Sequence, residues 1–313
     1  MTPAIETLGL KKRYGSHEAI HDLNIAVEPG TVFGLIGPNG AGKTTTLRTL
    51  LDIIRPSSGQ ARVLGQDPRI GGATLRRRIG YVPGELRLEG RIRGRNLLRH
   101  YAEISGTVAP GVIEGLADRL GLDLNRQVRT LSKGNKQKLG LIQAFMHRPE
   151  LLVLDEPTSG LDPLVQREFL EMVREARSAG QTVLLSSHVL SEIQQTADHV
   201  AVLNEGRIVA EGAVASLRLG RVRRVRVSLD RADPDAVRDE LATIPGLRDV
   251  VITGEGVARV TATLDGDIDP LVKLFARHEV SDLVVEEPDL EESVLQLYGG
   301  SSSTGHGAGV HRG

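Results

Sequence analysis

The sequence predicts an α/β fold built on a parallel sheet flanked by helices, followed by a smaller α+β unit. Three observations carry this expectation. Short apolar runs alternate with helical patterns across residues 31–50 and 151–210. A glycine-rich loop joins an apolar strand to a helix at residues 37–44. The pattern then changes after Leu219. Strand–helix alternation favours parallel pairing, because each return crossover needs a helix to cover the sheet.

The elements follow in order. Residues 4–10 and 20–27 alternate loosely and read as strands, with Pro29-Gly30 marking a turn. Residues 31–36 form a short apolar strand, and a helix begins at Lys43. Residues 84–150 are rich in Arg and Leu, with helical spacing over 96–104 and 112–120, and read as an inserted helical subdomain. Strands follow at 151–154, 182–186 and 200–203, with helices at 164–176 and 190–197 between them. Beyond Leu219 the expected order is strand 224–229, helix 234–243, strands 250–253 and 258–263, helix 269–277 and strand 283–286. That order is the ferredoxin-like split arrangement. A last helix is expected over 290–298, with Asp289 as N-cap and Glu292 as its reciprocal partner. Residues 299–313 are Gly/Ser-rich and predict a disordered tail. His306 and His311 in that tail could bind metal, although tail histidines more often have no role. The expected domains are therefore 1–219, 220–298 and the tail.

Composition narrows the function. The 313 residues are 40% hydrophobic and 25% charged, enough apolar material for real cores. Lys+Arg number 39 against Asp+Glu 40, a net charge of -1 that suits no nonspecific nucleic-acid binder. The absence of cysteine excludes disulfides, thiolate zinc sites and a cysteine nucleophile, and fits a reducing cytosol. The opening MTPAIETLGL has neither a basic start nor an apolar run, so no signal peptide is expected. No stretch approaches the ~20 apolar residues of a membrane span. Any membrane role must therefore run through a partner.

Two motifs carry chemistry. Gly37-Pro38-Asn39-Gly40-Ala41-Gly42-Lys43-Thr44 matches G-x-x-x-x-G-K-[ST], between a strand and a helix as a P-loop requires. Its glycines let backbone N–H groups turn toward phosphates, and the helix N-terminus favours negative charge. Lys43 is placed to neutralise the β- and γ-phosphates, Thr44 to ligate Mg²⁺, and Thr45 to continue the binding segment. The second motif is Leu151-Leu152-Val153-Leu154-Asp155-Glu156-Pro157. A buried strand here delivers two carboxylates to the edge where open α/β sheets bind ligands. Asp155 suits a Mg²⁺ shell, and Glu156 suits the base that deprotonates an attacking water.

Together these motifs resemble the ATP-binding cassette of ABC transporters, and further matches fall in order. Leu131-Ser132-Lys133-Gly134-Asn135 resembles the family's LSGGQ signature, and Ser159-Gly160-Leu161-Asp162 resembles its D-loop. His188 in Ser186-Ser187-His188 resembles the switch histidine, and Tyr14 sits where the family stacks an aromatic ring on adenine. The resemblance covers roughly residues 4–219. It implies a P-loop NTPase cassette: a RecA-like core, an antiparallel β subdomain and an inserted helical subdomain. It also implies ATP and Mg²⁺ as cofactors and a head-to-tail homodimer. Lys43, Asp155, Glu156 and His188 would supply one half of each ATP site. The partner's Ser132, Gly134 and Asn135 would supply the other, and Asp162 would lie at the boundary. A separate membrane-spanning permease and a place on the cytoplasmic face of the membrane follow from the same resemblance. Residues 287–294 and the sequence Gly84-Glu85 are similar to those of bacterial drug and antibiotic exporters.

The sequence also departs from the family. LSKGN stands for LSGGQ, and the Q-loop glutamine is missing, since Tyr81-Val82-Pro83 runs into Gly84-Glu85. Glu85 is the nearest side chain able to replace that glutamine near Mg²⁺; the alternative is that it simply faces solvent. The arginines at 76–78, 87, 91, 93, 95 and 99 admit two readings, docking of a membrane subunit or a solvated face. A non-transport ABC ATPase and a regulatory nucleotide-binding scaffold are the alternative functions.

Overall fold

The computed structural model describes residues 2–215, 222–254 and 257–286. It divides the chain into two compact units, Met1–Ser216 and Leu217–Gly313. The expected helix over 290–298, its cap, the tail with His306 and His311, and the junction at Leu219 lie outside the described residues.

The first unit opens with β1 (Ile5–Tyr14) and β2 (His17–Val27), which pair antiparallel. With β4 (Ser58–Val63) they form a three-stranded sheet in the order β2-β1-β4. β1 runs beyond the expected end, through Lys11, Lys12 and Arg13. One face of this sheet meets solvent, so charged side chains do not stop the strand. The polar β4 escaped the sequence reading for the same reason.

The main sheet has six strands in the order β5-β6-β7-β3-β8-β9. They are β3 (Val32–Ile36), β5 (Ile79–Val82), β6 (Leu151–Asp155), β7 (Thr182–Ser187), β8 (His199–Asn204) and β9 (Arg207–Ala213). All neighbours are parallel except β8 and β9. Every residue of β3, β6 and β7 is buried, as expected of strands covered on both faces. Helices α1 (Lys43–Leu50), α2 (Pro68–Arg77), α6 (Pro163–Ser178) and α7 (Leu190–Thr196) belong to this layer. Between β5 and β6 the chain forms α3 (Gly94–Ser105), α4 (Val112–Arg119) and α5 (Lys133–Phe145), the inserted helical segment. Leu98, Ala117, Leu120 and Leu139 are buried there. This is the ATP-binding cassette fold. Because β6, β7 and β3 are adjacent, their C-terminal ends bring the segments at 155–156, 187–188 and 37–44 side by side.

The second unit runs β10 (Val222–Asp230), α8 (Pro234–Leu241), β11 (Leu247–Thr253), β12 (Val257–Asp265), α9 (Asp269–Phe275) and β13 (Glu279–Glu286). Its antiparallel sheet has the order β11-β12-β10-β13. In β12 Ala258, Val260, Ala262 and Leu264 are buried while Arg259 and Thr261 are exposed, the alternation of a half-covered sheet. Val237, Leu241, Leu271, Leu274 and Phe275 of the two helices complete this core.

Among the described residues, no helix is long and apolar enough to cross a membrane.

Candidate nucleotide-binding site

The phosphate loop folds as its glycines dictate. A Cβ on Gly37 would lie 2.2 Å from the Leu203 carbonyl oxygen, so no larger residue fits. Gly42 combines a φ of 104° with a would-be Cβ 2.7 Å from the Ala19 carbonyl oxygen. Gly42 is also the N-cap of α1, which leaves the first-turn N–H groups of the helix directed at the loop. Lys43 is buried at the start of that helix. Its Nζ donates to the carbonyls of Gly37 at 2.5 Å and Pro38 at 3.2 Å, so the side chain curls back under the loop.

Asp155 and Glu156 stand at the end of β6. Asp155 is fully buried. Its Oδ1 accepts from the Ser186 hydroxyl at 2.7 Å, while Oδ2 is buried without a hydrogen-bond partner. Glu156 sits at φ 46°, an uncommon backbone conformation for a non-glycine residue. Its N–H is held by the Ser186 carbonyl and hydroxyl, both at 3.2 Å. Its Oε1 lies 3.2 Å from Lys43 Nζ, and its Oε2 lies 2.5 Å from His188 Nδ1. The structure therefore joins Lys43, Glu156 and His188 in one chain of polar contacts. Ser186 is a residue the sequence reading did not single out: one hydroxyl orients both carboxylate-bearing residues.

A cleft of about 300 Å³ lies over this group. Pro38, Asn39, Gly40, Ala41, Gly42, Lys43, Thr44, Thr45 and Glu156 line it together with Tyr14. Tyr14 is half exposed, with Lys12 Nζ 4.9 Å from its ring centroid. An exposed ring beside a phosphate loop offers a stacking face for a base. The orphaned buried Oδ2 of Asp155 and the Thr44 hydroxyl in the cleft are hard oxygen donors of the kind a magnesium ion takes. Among the described residues no group of three His, Cys, Asp or Glu could hold an ion alone.

Glu85 stands at the surface, as the second of its two readings expects. Its side chain is 74% exposed and pairs with Arg87 at 2.9 Å. Gly84 is the residue that borders the carboxylate: a Cβ there would lie 3.2 Å from Asp155 Oδ2. The chain bends at Gly84 and Glu85, beyond the end of β5 at Val82. Tyr81 of β5 is another neighbour missed by sequence. Burial, and then the Asp155 charge, push its phenol above the ordinary range, so it stays neutral at the site's edge.

The signature residues lie elsewhere. Ser132 caps α5 by accepting from Asn135 N–H at 3.3 Å. Gly134 packs on the 159–162 segment so closely that a Cβ would lie 2.5 Å from the Gly160 carbonyl oxygen. Asp162 caps α6 by accepting from Val165 N–H at 3.1 Å. None of Ser132, Gly134, Asn135 and Asp162 lines the cleft. Several of the arginines are paired within the chain: Arg76 with Asp52, Arg78 with Glu150 and Arg95 with Glu114.

A phosphate loop beside a paired acid, base and histidine defines a nucleoside-triphosphate hydrolase site. Residues 20–159 match the family described as ABC transporter. The chain is 34% identical over 307 residues to the bacitracin transport ATP-binding protein BcrA of Bacillus licheniformis, covering 96% of this chain and 99% of that one. It is 33% identical over 306 residues to the daunorubicin resistance ATP-binding protein DrrA3 of Streptomyces coeruleorubidus, covering 95% and 96%. A solved ATP-binding subunit of an ABC transporter superposes with a TM-score of 0.64 at 31% identity, over 69% of this chain and 92% of that one. The chain belongs to the ABC transporter ATP-binding subunits, and its activity is ATP hydrolysis.

Proposed function

We propose that this subunit powers export of a drug-like or antibiotic molecule through a separate membrane-spanning permease, from the cytoplasmic face of the membrane. The names of the bacitracin and daunorubicin relatives, matched over nearly their whole lengths, support export. The observation that carries the catalytic reading is the contact set of Glu156, which lies within ion-pair distance of Lys43 and hydrogen-bonds His188.

In this reading the N–H groups of residues 37–44 and the Lys43 ammonium hold the phosphates, and Tyr14 stacks on the base. Glu156 takes the proton of a water whose oxygen attacks the γ-phosphorus, as the bond to the ADP oxygen breaks. His188 hydrogen-bonds Glu156 and faces the γ-phosphate. Thr44 and Asp155 would hold magnesium, which would neutralise phosphate charge.

Ser132, Gly134 and Asn135 lie off the cleft of their own chain, which supports their facing ATP bound to a second copy in a head-to-tail dimer. Asp162, beside them, would link the two sites. Residues 220–298 are read as an accessory domain of ferredoxin-like arrangement, supported by the β-α-β-β-α-β order of its described elements.

Glu156→Gln tests the catalytic core. The variant should bind ATP as tightly as the wild type, lose turnover by about 10²- to 10⁴-fold and elute as a dimer with ATP and magnesium. Hydrolysis at the wild-type rate would remove Glu156 from the role of base.

A further inference from the structure

The mechanism above uses no part of Glu192, yet this carboxylate is buried. An ionised group withdrawn from water is expensive unless hydrogen bonds hold it. Glu192 lies in the first turn of α7, where the helix dipole favours a negative charge. Its Oε2 accepts the Ser187 hydroxyl proton at 2.8 Å. The same Ser187 oxygen accepts from Val189 N–H at 2.9 Å. These two bonds straddle His188, the residue between Ser187 and Val189.

The chemistry leaves one arrangement. An ionised carboxylate only accepts, so the Ser187 hydroxyl must donate to it. The lone pairs of that oxygen are then turned toward Val189 N–H. Without the carboxylate the hydroxyl proton is free to turn, and the bond to Val189 N–H just beyond His188 loses its fixed orientation. The platform beneath is tight. Ile193 of α7 is buried, and a Cβ on Gly34 of β3 would lie only 2.6 Å from Ile193 Cγ2. Thr196 of the same helix donates its hydroxyl to the Glu192 carbonyl at 2.8 Å. Glu192 therefore projects from a helix seated against the strand that feeds the phosphate loop.

The geometry points to Glu192 as a positioning residue for His188: through Ser187 it pins the backbone that carries the imidazole to Glu156. His188 needs such support, because its own side chain is 52% exposed and reaches Glu156 from the surface. The inference rests on the role proposed above for His188.

The test measures ATP hydrolysis and fluorescent-ATP binding in the full chain with magnesium, with thermal melting alongside. Glu192→Ala should lower kcat by about tenfold with KM for ATP within about twofold, because a small misplacement of a catalytic group slows chemistry without weakening binding. Glu192→Gln keeps an acceptor oxygen and should restore most of the rate. Ser187→Ala should match Glu192→Ala, and it guards against a fold lost through the first change. Introduced into His188→Ala, Glu192→Ala should produce no further loss. A wild-type kcat in both Glu192→Ala and Ser187→Ala overturns the inference. So does an undiminished tenfold loss in the His188→Ala background, which would mean that Glu192 acts elsewhere. If His188→Ala alone hydrolyses at the wild-type rate, the role of His188 fails and the positioning inference falls with it. A slow His188→Ala beside a fast Glu192→Ala rejects the positioning inference only.

Discussion

The two units of this chain bury different kinds of side chain. In the first, Lys43, Gln137, Asp155, Ser186, Ser187 and Glu192 are buried among the aliphatic residues of the sheet. In the second, the buried set among the described residues is apolar throughout, from Val225 and Val227 to Phe275. Both units are α/β or α+β layers, so secondary structure does not explain the contrast. Burying polar groups destabilises a fold unless each is bonded. Such groups are concentrated where three strand ends meet the phosphate loop. The first unit gives up stability for a charged, pre-shaped cleft; the second has the core of a unit that only needs to fold.

This contrast can be broken by experiment. The largest effect should come from Lys43→Ala. Removing one partner of a buried charge pair costs roughly 2–5 kcal/mol, so ATP affinity should fall by roughly 30- to 4000-fold. Isothermal titration checks this, and an affinity within threefold of wild type would show that the loop binds phosphate without the ammonium.

Phe275→Ala should destabilise the second unit by about 3–5 kcal/mol, as expected for emptying a buried aromatic site. Calorimetry should then show a lowered transition while ATP affinity stays unchanged. A parallel loss of ATP binding would mean that the two cores are not independent.

Ser186→Ala should be milder, at about 1–3 kcal/mol, since it leaves one buried carboxylate oxygen and one N–H with fewer partners. The expected reading is a turnover lower by roughly tenfold, with a midpoint for magnesium shifted upward. Ser186→Thr keeps the hydroxyl and should recover part of the loss. If Ser186→Ala and wild type share one magnesium titration curve, Ser186 does not orient Asp155.

The smallest effect belongs to Glu85→Ala. Exposed ion pairs such as Glu85–Arg87 contribute about 0–1 kcal/mol. Its magnesium midpoint should stay within about twofold of wild type. A large shift would return Glu85 to the metal shell.

How much of this was legible beforehand depends on range along the chain. The strand 151–154, the turn into Gly37–Thr44 and the helix from Lys43 all follow from local pattern, and β6, β3 and α1 form there. The polar strand β4 and the charged end of β1 were hidden, because a sheet with one wet face tolerates polar residues. For Glu85 two readings stayed open, because proximity in sequence does not say which way a bend turns its side chains.

The amino-acid sequence alone determined the phosphate loop, because glycine conformations, a helix N-terminus and one lysine act within a single turn of chain. It also determined that Asp155 and Glu156 leave the sheet at its ligand-binding edge, because an apolar run of four residues must be buried before them. Only the tertiary structure decided what those carboxylates touch. Ser186 meets Asp155 across 31 positions of sequence, and His188 meets Glu156 across 32. These contacts exist because β6 and β7 pair in parallel, residue 155 beside residue 186. The strand–helix alternation predicts parallel strands, but which strands become neighbours, β6 beside β7 and β7 beside β3, is settled by long-range packing.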